Sequence, residues 1–153
     1  MDIEGVTVRP ITDIKVQTTQ TASALVYNPP FQIQPWQNPM ILNAFLNKLN
    51  QTPEAIEFSD TMSVIEANYH FTPTQFSNGN TINQADQNNG SCKIFAFGQL
   101  NNLTEQQTLA CFGTYYRDDV LKTPEGNDHQ NIRNFIVSGW PSISFKGQAL
   151  TVK

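Results

Sequence analysis

The sequence predicts an α+β domain, mainly helical, with about five helices and two short β-hairpins over residues 40–153, preceded by an extended N-terminal arm over residues 1–39. Three observations predict it. Apolar residues recur every three to four positions in five segments, two further segments carry short apolar patterns punctuated by turn residues, and only 14% of residues are charged. At 153 residues the chain is about one domain long, and such a length buries roughly two thirds of its unfolded surface without disulfide or metal support.

The arm comes first. Val6, Val8, Ile14 and Val16 alternate with polar residues as in a strand, Pro10 interrupts them, and Leu25, Val26 and Tyr27 precede Pro29, Pro30, Pro35 and Pro39. At Asn38 the period changes. Asn38 is a capping residue, Pro39 suits a first helical position, and Ile41, Leu42, Phe45, Leu46 and Leu49 form one apolar face. Thr52–Pro53 repeats the start signal for a second helix carrying Phe58, Met62, Ile65 and Tyr69, with a break near Ser59 and Asp60. Phe71–Ile82 reads as an edge hairpin turning at Asn78–Gly79, because both residues tolerate positive φ.

After the polar loop Gln84–Gly90, Ser91 opens a third helix with Ile94, Phe95, Phe97 and Leu100. Thr104 and Gln107 form a capping box for a fourth, which continues through Leu109, Phe112 and Tyr116 on one face. Asp128 caps a fifth, carrying Ile132, Phe135 and Ile136, and Gly139 stops it before Trp140–Pro141. Ile143 and Phe145, then Lys146–Gly147, then Leu150 and Val152 read as a closing hairpin.

Composition excludes several partners. With a net charge of −4 and only 9 Lys and Arg, the chain has no basic face to neutralise a phosphate backbone, so nucleic acid is not an expected partner. No apolar run approaches the roughly 20 residues of a transmembrane segment, and Met1–Gln20 lacks the basic start and apolar stretch of a signal peptide. Two cysteines, Cys92 and Cys111, fit a reducing compartment, so a cytoplasmic protein without cofactors is expected.

The segments Ile56–Met62, Phe71–Thr74, Asn89–Phe97, Tyr115–Leu121 and Asp128–Arg133 together resemble the signature of the HopJ family of type III effectors, over about 114 residues from Met40 to the C-terminus. The resemblance implies a small α+β domain and translocation into a host cell by a type III system. It implies no catalytic mechanism. Residues 1–39 depart from the family pattern, as either a native extension or an added segment.

Cys92 is the nucleophile candidate. It falls in the first turn of the third helix, where backbone amides, the helix dipole and Lys93 favour thiolate. A cysteine-dependent hydrolase or acyltransferase would also need an imidazole and an orienting group, for which His129 with Asp128 or Asn131 is the candidate set. The simpler reading is an inert cysteine packed under the helix. No metal site is expected, because Cys92, Cys111 and His129 are one ligand short of structural zinc. Phe95, Tyr115, Tyr116 and Trp140 fit either an aromatic core or a ligand pocket.

These observations favour a non-enzymatic protein-interaction domain whose partner is another protein chain or a larger assembly, with the cysteine enzyme as the alternative. In the arm, Leu25, Tyr27, Phe31 and Trp36 are the expected partner-binding residues: with Val26 and Ile33 they would bury apolar surface worth several kcal/mol before the entropy of ordering is subtracted, either on a partner or, equally, on the arm's own domain.

Overall fold

A computed structural model describes residues 39–153. Leu25, Tyr27, Phe31 and Trp36 therefore lie outside the described residues, as does the rest of the arm to Asn38.

The described chain is mainly helical with two small antiparallel sheets. In chain order the elements are α1 (Pro39–Gln51), a 3-10 turn (Pro53–Ala55), α2 (Phe58–Asn68), β1 (Tyr69–Phe71), β2 (Phe76–Asn78), β3 (Thr81–Asn83), α3 (Asn89–Leu100) and α4 (Glu105–Ala110). A π-helical turn (Tyr115–Val120), α5 (Gln130–Ser138), a second 3-10 turn (Trp140–Ser142), β4 (Ile143–Phe145) and β5 (Leu150–Val152) follow.

The helix starts show where local signals hold and where they are spent differently. Thr104 and Gln107 close the expected capping box, with Gln107 N–H donating to Thr104 Oγ1 at 3.0 Å and Thr104 N–H to Gln107 Oε1 at 2.9 Å. The helix it opens ends six residues later, at Ala110, and does not reach Tyr116. Gly113 breaks it at φ +63°, where a Cβ would lie 2.5 Å from the Phe58 nitrogen, so only glycine lets the two segments meet. Thr52–Pro53 produces a single 3-10 turn, and α2 starts instead at Phe58 with Asp60 accepting from Glu57 N–H at 3.0 Å.

The strands correct the sequence expectation most. β2 and β3 form the hairpin, with Asn78 opposite Thr81, so the turn residues are Gly79 and Asn80, one position later than expected. The closing hairpin does not form. β4 pairs with β2 and β5 pairs with β1, giving a three-stranded sheet in the order β3-β2-β4 and a two-stranded sheet β1-β5. The register is continuous across the gap: Phe71 faces Leu150 and Phe76 faces Phe145, five residues further along each strand. Tyr69–Asn78 and Ile143–Val152 are thus one antiparallel ribbon, interrupted where Pro73 has no N–H to give to the ladder. Inside the gap, Thr72 N–H still reaches Ala149 O (2.8 Å) and Lys146 N–H reaches Gln75 O (2.9 Å).

α3 runs through the centre, with Cys92, Ile94, Phe95, Ala96, Phe97 and Gly98 all buried. Phe95 is its hub, touching Phe76, Phe112, Phe135 and Trp140 at ring-centroid distances of 4.9–6.4 Å. No helix among the described residues is long and apolar enough to cross a membrane.

Candidate functional site

Two helices begin side by side in the same unusual way. The residue before α3, Asn88, has φ 54° and ψ 49°, and the residue before α5, His129, has φ 50° and ψ 49°. Both are left-handed, and neither side chain caps its own helix. The first intrahelical bonds run from Cys92 N–H to Asn88 O (3.0 Å) and from Ile132 N–H to His129 O (3.0 Å), so the amides of the first turns find no acceptor among the described residues. Asn88, Gly90 and Ser91 from one start and His129, Gln130 and Asn131 from the other line a single cleft of about 350 Å³.

The floor of this cleft is a set of asparagines bound to one another. Asn131 and Asn83 exchange bonds, Asn131 Nδ2 to Asn83 Oδ1 at 3.0 Å and Asn83 Nδ2 to Asn131 Oδ1 at 3.1 Å. Asn78 Nδ2 donates to Asn131 O and Oδ1 from below (2.8 and 3.1 Å), and Asn88 Nδ2 donates to Asn83 Oδ1 from the rim (2.7 Å). Asn78, Asn83 and Asn131 are buried, and these bonds replace water that burial removed except at Asn78 Oδ1, which has no partner among the described residues.

His129 forms one wall. Its Nε2 lies 3.0 Å from Asp119 Oδ2 and 3.9 Å from Asp128 Oδ2, and its ring packs against Tyr115 at 5.1 Å. Asp128 is held instead by Arg133, whose Nη2 sits 2.6 Å from Oδ1; that bond keeps the Asp128 carboxyl below the usual aspartate range. The orienting carboxylate nearest His129 is therefore Asp119, ten residues upstream, and not the neighbouring Asp128. Arg117 also binds outside its own run, donating to Ile56 O at 2.8 Å and pairing with Glu57 at 3.6 Å.

Cys92 lies elsewhere. Its side chain is 1% exposed, it does not line the cleft, and its thiol donates to Thr74 O at 3.5 Å, inside the interrupted ribbon. Burial raises its pKa, outweighing the Thr74 bond and Lys93, so the thiolate-favouring position expected from the sequence is reversed. Lys93 turns its ammonium over the Phe71 ring at 4.9 Å. The structure shows no contact between Cys92 and His129. Cys111 is fully buried, with its thiol pushed up to about 12 by desolvation. No group of three or more His, Cys, Asp or Glu residues able to hold a metal occurs among the described residues.

The four aromatics also separate: Phe95 and Trp140 pack in the core, Tyr115 borders the cleft, and Tyr116 borders a second, more apolar groove of about 300 Å³ with Leu49, Pro53 and Arg117.

A family model described as HopJ type III effector protein matches residues 42–150. The chain belongs to the HopJ family. A solved structure described as "Crystal structure of unknown function protein VPA0580" is 63% identical, with a TM-score of 0.73 over 73% of this chain and 93% of that one. No curated protein matches. Membership of the HopJ family thus brings a fold and no established activity, and the cleft is the feature of this HopJ domain in which polar chemistry is concentrated.

Asn83 and Asn88 were not among the site residues expected from the sequence, and Asn131 was considered only as a partner for His129. The available signal was the left-handed tolerance of Asn and His at two helix starts, which composition alone does not separate from ordinary loop polarity.

Proposed function

We propose that this HopJ domain, residues 40–153, is a non-enzymatic recognition module that takes a short polar segment of a partner protein into the cleft at the starts of α3 and α5. One observation carries the proposal: buried asparagines are bound to one another beneath an opening lined by first-turn amides without acceptors among the described residues. A polar floor of this kind is costly unless a ligand or solvent meets its remaining capacity. At about 350 Å³ the cleft is near the lower end of ligand-pocket sizes, roughly 300–1,000 Å³, which suits a short segment better than a folded face.

The buried, protonated thiol supports recognition over cysteine chemistry, since a nucleophile needs an exposed thiolate with a base in hydrogen-bond reach. The family's name supports delivery into a host cell, and the arm, through Leu25, Tyr27, Phe31 and Trp36, is proposed as a second attachment to the partner or its assembly.

The direct test is a titration of the isotopically labelled full chain with pools of randomised tetrapeptides, followed by backbone amide resonances. Shifts centred on Asn88–Ser91 and His129–Ile132 are expected. Absence of shifts with every pool, together with alkylation of native Cys92 by iodoacetamide as fast as a free thiol, would favour the cysteine enzyme instead.

A further inference from the structure

We propose that Asn89–Gly90 is a site of spontaneous chemical modification, where the Asn89 side chain loses ammonia through a cyclic imide and becomes aspartate or isoaspartate; the reaction does not depend on what the cleft binds. The chain contains two Asn–Gly pairs, Asn78–Gly79 and Asn89–Gly90. In either pair the amide nitrogen of the glycine can attack the preceding side-chain carbonyl, and the missing Cβ leaves that nitrogen unhindered. The fold treats the two pairs in opposite ways.

Asn78–Gly79 is locked. Asn78 is fully buried, its Nδ2 donates to Asn131 O (2.8 Å) and Oδ1 (3.1 Å), and it stands in register between Thr81 and Ile143. Gly79 N–H donates to Ser142 O at 3.3 Å, so the nitrogen that would attack is engaged by the second 3-10 turn. Cyclisation there requires the core ribbon to open, which happens only as most of the molecule unfolds.

Asn89–Gly90 is open. Both residues stand in the first turn of α3, where the first intrahelical bond is Cys92 N–H to Asn88 O, and the Gly90 amide has no acceptor among the described residues. The Asn89 side chain is held by one bond, Nδ2 to Asp86 Oδ1 at 3.5 Å, the outer limit of such a contact, and its Oδ1 has no partner among the described residues. Gly90 lines the cleft, so water reaches the pair. A first turn frays at little cost, which lets the backbone rotate until nitrogen meets carbonyl carbon.

The step balances without a cofactor. The Gly90 nitrogen gives up its proton and bonds to Asn89 Cγ, the Cγ–Nδ2 bond breaks, and ammonia leaves with that proton. One water then opens the imide. Cleavage at Cγ restores the main chain and leaves aspartate, whose charge suits a helix start. Cleavage at the main-chain carbonyl leaves isoaspartate, which routes the chain through the side chain, adds a methylene ahead of Gly90 and displaces the Gly90 and Ser91 backbone at the cleft.

The test holds the folded full chain at mildly alkaline pH in heavy-oxygen water, beside the same chain in denaturing urea, and locates the change by fragment mass spectrometry. In the folded chain Asn89 should take up one heavy oxygen and convert roughly a hundredfold faster than Asn78, the contrast between fraying a first turn and opening a core ribbon, while in urea the two pairs convert at similar rates. Equal rates at the two pairs in the folded chain, or an intact Asn89 once the urea sample has converted, overturn the proposal. An Asn89→Gln variant, whose longer side chain closes its ring far more slowly, should melt with the parent and stay unmodified at that position; conversion there at the parental rate overturns the imide route. The Gly90 and Ser91 amide resonances of the aged parent should divide into aspartate and isoaspartate sets, and a single unshifted set contradicts displacement at the cleft.

Discussion

At the scale of residues, the decisive side chains are uncharged. Asn83 and Asn131 are buried although asparagine is usually a surface residue, and burial is tolerated because each amide answers another. Truncating Asn131→Ala removes the side-chain acceptor shared by Asn78 Nδ2 and Asn83 Nδ2 and a donor to Asn83 Oδ1, leaving the two donors only the backbone acceptors Asn131 O and Phe76 O, and should cost roughly 1–3 kcal/mol by denaturant unfolding; a loss below roughly 0.5 kcal/mol would show that water fills the gap without penalty. None of this network was legible in the sequence, since nothing in its spacing distinguishes Asn83 or Asn131 from the Asn-rich loop at 84–90. Asp128 illustrates the converse: the sequence placed it correctly beside His129, but its charge is spent on Arg133. Because that bond lowers its folded pKa, the stability it supplies is whole above the ordinary aspartate value of 3.8 and disappears as pH falls through the lowered one. An Arg133→Gln variant should move the Asp128 carboxyl titration upward in a carbon-detected NMR experiment; an unchanged titration would mean that Arg133 is not the cause.

At the scale of elements, helices with a clear apolar period or a capping box were readable, as α1 and the Thr104 box respectively show, while their lengths depended on contacts that sequence period does not carry. The run from Glu105 to Tyr116 keeps helical spacing, yet Gly113 turns it because the chain there presses on Phe58. Gly113→Ala would combine left-handed backbone strain with a Cβ set against backbone, costing roughly 2–5 kcal/mol. Thermal unfolding would measure it, and a melting temperature equal to the parent's would contradict the tight approach of these two segments. The start of α3 was legible to within two residues, but the left-handed Asn88 before it was not, since local polarity signals a loop without giving its φ.

At the scale of the whole described body, fold class was legible and topology was not. Lys146–Gly147 carries turn residues between two apolar pairs, and the hairpin it suggests loses to a ribbon in which Phe145 stacks on Phe76 at 5.3 Å and Leu150 is buried beside Phe71. Burial of both partners in a long-range pairing outweighs a local turn preference. The same ribbon explains Cys92: its thiol meets a carbonyl left free where Pro73 interrupts pairing. It also sets α3 at the centre, with its start opening beside that of α5 and Asn83 beneath both. The most direct measurement is a crystal structure of the chain grown with a saturating tetrapeptide selected from the pools by its amide shifts. The peptide should lie in the cleft within hydrogen-bond distance of first-turn amides from both α3 and α5; density in the groove beside Leu49 and Arg117, with the cleft unchanged, would contradict it.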